Sequence, residues 1–214
     1  MKKILIVTAA VALAAGGAMA ASDIANTKHD FSASGTPNPG VWANNEICAP
    51  CHVPHGGDQA VAPLWAHDQT SASQSYTRYS STTMNATPDT TLGTTHAGTR
   101  LCLSCHDDTV ALAAFTGATS TGTETISDLY TGSNAILGTD LSNDHPVMFT
   151  YQDSIDDGDA ELVAAGTGDM RLWGASTSEV ECLSCHDPHG EDGIDYLLWK
   201  DNTGSAICLD CHNK

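Results

Sequence analysis

Basic residues are scarce in this chain. Lys and Arg together number 8 in 214 residues, against 26 Asp and Glu, and the formal net charge is −18. Such a balance excludes nucleic acid and anionic membrane surfaces as natural partners, because both repel a strongly acidic protein. Large apolar side chains are also few: only 6% of residues are aromatic, with Phe at 3. Beyond residue 20 no apolar run approaches the length of a membrane span, so membrane insertion of the remainder is not expected. A conventional hydrophobic core is thin, and something other than side-chain packing has to hold the chain together.

What is present begins with a leader. Lys2 and Lys3 precede an apolar run from Ile4 to Ala15, and Ala18-Met19-Ala20 supplies small residues for cleavage, the layout of a secretory signal peptide over 1–20. Residue 21 is alanine, so no lipid-anchoring cysteine follows the site. An exported chain of residues 21–214 is expected, placed extracellularly or at the cell surface, with the periplasm as the alternative.

Eight cysteines in an exported protein first suggest disulfides. Their spacing argues otherwise. They fall as Cys48/Cys51, Cys102/Cys105, Cys182/Cys185 and Cys208/Cys211, and His52, His106, His186 or His212 follows each pair at once. Two thiols three positions apart can form thioethers to the two vinyl groups of one haem, while the adjoining imidazole takes one face of the iron. Zinc ribbons and redox disulfides share the Cys-x-x-Cys spacing but leave the repeated histidine unexplained. The reading is four covalently bound c-type haems, with the macrocycles replacing the missing apolar core. The fold class expected is mostly irregular coil with a few short helices, the chain wrapping its four haems.

Six further histidines compete for the remaining axial positions: His29, His55, His67, His96, His145 and His189. Met84, Met148 and Met170 are also chemically competent. An internal repeat guides the choice. "CHVPHG" at 51–56 recurs as "CHDPHG" at 185–190, and Trp65 and Trp199 each lie ten residues beyond the Pro-His-Gly histidine, each preceded by leucine. Two haem-pair modules are expected within one domain, about 21–115 and 141–214, joined by a Thr/Gly-rich loop. Each module has one histidine upstream of its first motif, His29 or His145, and one in Pro-His-Gly, His55 or His189. These four are the expected distal ligands. His67 and His96 lack matched counterparts and read as second-shell or surface residues, although either is an alternative to His29. Two residues between His52 and His55 cannot carry the backbone around a porphyrin edge, so His55 is expected to serve another haem, and His189 likewise. Pro54 and Pro188 stiffen the connection, and Gly56 and Gly190 permit a sharp turn.

Elsewhere, Leu101–Phe115 has a modest helical pattern, 116–140 reads as a joining or surface loop, and 154–161 (SIDDGDAE) as a solvated acidic loop. Trp65 and Trp199 are expected to pack against haem or core.

The segments "KHDFS", "EICAPCHVPHG", "PLW", "RLCLSCHDDTVAL", "NDHPV", "ECLSCHDPHG" and "NTGSAICLDCHNK" resemble the exported multihaem cytochromes with doubled Cys-x-x-Cys-His motifs. Within these the chain is most similar to the tetrahaem extracellular cytochromes of the OmcE type, which polymerise into conductive filaments. That resemblance implies bis-histidine haems in a continuous stack, a mostly coil fold, and a histidine donated across a head-to-tail subunit interface, with His29 as the candidate donor. One departure is Asp108, in "CHDDT", where relatives often carry glycine.

An electron carrier is thus expected, exchanging electrons with redox partners as a filament subunit or as a soluble periplasmic shuttle. A multihaem reductase needs an open axial position; all four motifs end in histidine and the spare histidines outnumber the vacancies, so no enzymatic activity is expected.

Overall fold

The computed structural model describes residues 23–32, 45–58, 64–118, 122–156, 160–174, 178–190 and 194–213. The expected signal peptide and the turn-forming stretch 35–40 lie outside the described residues. Irregular chain dominates. The regular elements are α1 (Ala97–His106), α2 (Ile126–Leu129), the strand β1 (Phe149–Thr150), α3 (Tyr151–Asp156) and the strand β2 (Glu179–Val180), together with short 3-10 turns, two of them at Cys182–Ser184 and Cys208–Asp210. β1 and β2 pair antiparallel, Phe149 opposite Val180 and Thr150 opposite Glu179. Among the described residues no helix is long and apolar enough to cross a membrane.

Helix α1 carries the second Cys-x-x-Cys-His unit, but it starts earlier and stops sooner than the 101–115 pattern suggests. Asp108 ends it by entering the left-handed region at φ 65°, where Asp is better tolerated than most residues. The Asp108 carboxylate accepts the Ser127 backbone N–H (2.9 Å) and hydroxyl (2.7 Å). The turn that glycine would make without strain is therefore made here by Asp with side-chain compensation.

The stretch 116–140 is more than a surface loop. Thr125 and Asp128 form a capping box that starts α2, the Thr125 N–H donating to Asp128 Oδ2 at 2.9 Å. Ile126 is buried against Leu112 and Ala113. In the acidic stretch at 154–161, Ser154–Asp156 belong to α3 and residues 157–159 lie outside the described residues.

Apolar burial is split among small clusters. Tyr76, Leu92, Leu103, Leu141 and Met148 form one; Leu112, Ala113 and Ile126 a second; Ala86, Phe149, Tyr151 and Val180 a third; Ala66 and Phe115 a fourth. None approaches the contiguous core usual for a chain of this length. Met148 sits inside the first cluster, and Met84 and Met170 pack on the third, so the methionines have packing roles.

The repeat shows in the backbone with a slip of one residue. In the first copy Val53 N–H donates to Leu64 O and Ala66 N–H to Cys51 O; in the second Asp187 N–H donates to Leu197 O and Trp199 N–H to Cys185 O. Leu64 and Leu197 both hold positive φ, 57° and 55°. Aligned on these leucines, Trp65 corresponds to Leu198 and Ala66 to Trp199, so the two tryptophans do not occupy equivalent places. Trp65 meets the His52 ring edge-on, with centroids 5.8 Å apart, whereas Trp199 stacks on Trp173 at 6.5 Å with Arg171 4.0 Å over its ring. The indoles of Trp173 and Trp199 both donate to Leu183 O, at 2.8 and 2.7 Å, pinning the third motif.

Candidate haem-binding sites

Each Cys-x-x-Cys-His unit winds into a tight turn, either α1 or a short turn in which His52, His186 and His212 donate their backbone N–H to the first cysteine's carbonyl at 2.8, 3.1 and 2.9 Å. That winding brings two thiols and one imidazole to a common side. All eight thiols are free; Cys48 and Cys208 are exposed and the others partly buried.

Three of the four expected distal histidines each lie beside a motif histidine. His29 faces His106 with ring centroids 6.0 Å apart, His189 faces His52 at 6.3 Å, and His145 faces His212 at 6.3 Å. Two imidazoles bonded through nitrogen to one metal ion, at about 2 Å each, have ring centres on the order of 6 Å apart. The pairs are thus at a separation that would admit an iron between them.

Ring tautomers agree with that role. His106 Nδ1 lies 2.7 Å from Ala135 O, His186 Nδ1 3.0 Å from Tyr196 O, and His145 Nδ1 3.0 Å from Pro146 O. A carbonyl only accepts, so Nδ1 carries the hydrogen and Nε2 keeps its lone pair for a metal. The His29 ring similarly donates to the Pro188 carbonyl. Burial, reinforced by the nearby His106 ring, lowers the His29 pKa to about 4, and burial lowers that of His106. Both rings are therefore neutral and able to ligate near pH 7.

The ring opposite His52 belongs to His189 of the other Pro-His-Gly unit. Gly56 and Gly190 take positive φ, 79° and 64°, which turns each unit sharply after its histidine. His29, the candidate donor to a neighbouring subunit, stands across from His106 of its own chain. Among the described residues, His55 and His186 are the two expected ligands with no imidazole opposite them at this spacing. His55 is exposed between exposed Pro54 and Gly56, and His186 is exposed as well.

The two remaining histidines are engaged elsewhere. His67 is buried, stacked on Phe115 at 6.4 Å, donates Nδ1–H to Asp68 O (2.6 Å) and turns Nε2 to Cys105 Sγ at 3.7 Å. His96 has both ring nitrogens against carboxylates, Glu181 at 2.8 Å and Asp89 at 3.0 Å. Sequence periodicity gave no sign of this cluster, because its buried pair, His96 and Glu181, lies 85 residues apart in the chain.

The lining suits a haem. An open cleft is lined by Cys182, Cys185 and His186 and by apolar Leu103, Leu141, Val147 and Met148. The buried Trp65 indole N–H beside His52 has no acceptor among the described residues. A bound group that brings its own acceptor, as haem does with its propionates, fits that orphan donor. Among the described residues no three His, Cys, Asp or Glu side chains converge on a common metal position.

Neighbouring thiols record which motifs adjoin. Cys105 is pushed up to about 12 by burial and then by Cys51; Cys211 up to about 11 by burial and then by Cys185. Cys102 and Cys182 are in hydrogen-bond contact, which raises the Cys102 pKa and lowers that of Cys182. Once alkylated these sulfurs no longer titrate, but the adjacency persists: first motif to second, second to third, third to fourth.

Residues 175–214 match a family model described as a doubled CXXCH motif (Paired_CXXCH_1). No curated protein matches the chain. The match supports a multihaem c-type cytochrome carrying covalently bound haem and acting in electron transfer.

Proposed function

We propose that the chain is an exported tetrahaem cytochrome that conducts electrons through haems held in sequence order, and that it works as the repeating subunit of an extracellular filament. The observation that carries the four-haem, bis-histidine reading is the set of three imidazole pairs at 6.0–6.3 Å, each joining a motif histidine to one from a distant segment. Bound haem supplies a one-electron iron couple; the protein sets spacing, axial ligands and burial. In this reading Cys51/Cys105, Cys102/Cys182 and Cys185/Cys211 are the junctions between successive haems. No open axial position is needed, and no enzymatic activity is assigned.

The fourth iron lies at His186, whose Nδ1–H is spent on Tyr196 O and whose Nε2 remains available. We assign its sixth ligand to His55 of another copy. His55 projects on an exposed, sharply turned tip, and a head-to-tail contact that does not close gives an open filament. The acidic surface keeps such a polymer soluble and away from anionic membranes.

Intact mass and spectra of the secreted protein test the first part: four haems per chain with low-spin spectra are expected, and fewer haems would refute it. Electron microscopy tests the second, with filaments expected for wild type and none for His55→Ala. A protein that stays monomeric with every iron bis-histidine refutes the intersubunit ligand and leaves a soluble shuttle.

A further inference from the structure

One buried carboxylate joins the second attachment motif to the third. Glu181 directly precedes Cys182 and is 1% exposed. It follows β2, whose pairing with β1 fixes its backbone. Its Oε2 accepts the Thr99 backbone N–H at 2.8 Å, inside the first turn of α1, and so caps a helix whose own N-cap residue, His96, makes no side-chain cap bond. Its Oε1 lies 2.8 Å from His96 Nδ1, and His96 Nε2 lies 3.0 Å from Asp89 Oδ2. Because a carboxylate faces each ring nitrogen, both nitrogens carry hydrogen and His96 is an imidazolium.

The contact is tight on every side. Cys182 N–H donates to Thr99 Oγ1 at 3.3 Å, and a Cβ on Gly98 would come within 3.0 Å of Leu183 Cδ1. Cys102 lies one helical turn beyond Thr99, and its thiol touches that of Cys182. A buried ion pair is a poor source of net stability, since desolvation offsets its attraction. What it fixes well is register: with Thr99 N–H and His96 as defined partners the Glu181 carboxylate has few alternative arrangements.

We propose that Glu181 is a positioning residue for electron transfer, locking with His96 the register between the second and third attachment motifs and thereby the spacing and orientation of the haems held through Cys102 and Cys182. This inference rests on the four-haem reading above.

The test is the exciton couplet in Soret circular dichroism, which reports mutual haem orientation, measured on full-length secreted protein of known haem content. Glu181→Leu, which removes both hydrogen bonds, loses the component of the couplet due to the second and third haems and slows internal electron equilibration after rapid partial reduction. Glu181→Gln keeps an acceptor for Thr99 N–H and restores both signals. Asp169→Asn, at an exposed carboxylate, changes neither. If Glu181→Leu fails to assemble, His96→Gln weakens the same lock and is read in the same way. A four-haem Glu181→Leu or His96→Gln variant with the wild-type couplet and wild-type equilibration overturns the inference alone. Wild-type protein without haem at these motifs overturns the functional reading itself.

Discussion

Replacing His189 by alanine isolates one axial ligand with little other damage. The side chain is 53% exposed, and the local turn is held by its backbone N–H, which donates to Asp187 Oδ1 at 3.0 Å. Alanine keeps that bond, so packing and turn terms change by no more than about 0.5 kcal/mol. What is lost is the imidazole 6.3 Å from His52. One iron of the four implied by the motifs then lacks a sixth ligand, so about a quarter of the haem becomes high-spin and reactive to carbon monoxide. The assay is a carbon monoxide difference spectrum of assembled protein, normalised to total haem, with wild type expected to be inert. A His189→Met variant keeps all irons six-coordinate and raises one potential, because a thioether ligand favours the reduced iron. If His189→Ala remains wholly low-spin and inert, His189 is not a ligand and the spacing of the other imidazole pairs loses its interpretation too.

Other perturbations test separate parts of the scaffold. Burial opposes protonation of His96, but the hydrogen bonds it donates to Glu181 and Asp89 outweigh it and raise its pKa. A raised folded pKa gives stabilisation that is complete below the ordinary value of about 6.5 and is lost as pH rises through the folded value. The melting-temperature gap between wild type and His96→Gln therefore narrows as pH rises, and a gap independent of pH refutes the imidazolium. Asp108→Ala keeps the left-handed backbone and drops both bonds to Ser127, costing about 1–2 kcal/mol. Asp108→Gly relaxes the backbone and recovers part of that loss, so the melting order is wild type, glycine, alanine. Gly57→Ala places a Cβ 2.4 Å from the Leu64 carbonyl carbon, an overpacking cost of about 1–3 kcal/mol. Its lower melting temperature should come with reduced haem content at the first motif, measured by peptide mass.

The sequence alone carried the reading of haem attachment. Four Cys-x-x-Cys-His units are local patterns, and a thioether pair with its adjacent imidazole is complete within five residues, so the eight cysteines and the four motif histidines were legible before any fold was known. The scarcity of large apolar side chains also announced an irregular chain with small, separate clusters. Partnership was different, because which ring faces which is decided by where distant segments meet. The repeat led to the four candidate distal histidines, yet only the tertiary arrangement set His189 against His52, His29 against His106 and His145 against His212. It also slipped the second copy by one residue, so the matched tryptophans serve different places. The Asp89–His96–Glu181 cluster carried no sequence signal at all, since a buried charge is stabilised by partners that share no spacing along the chain.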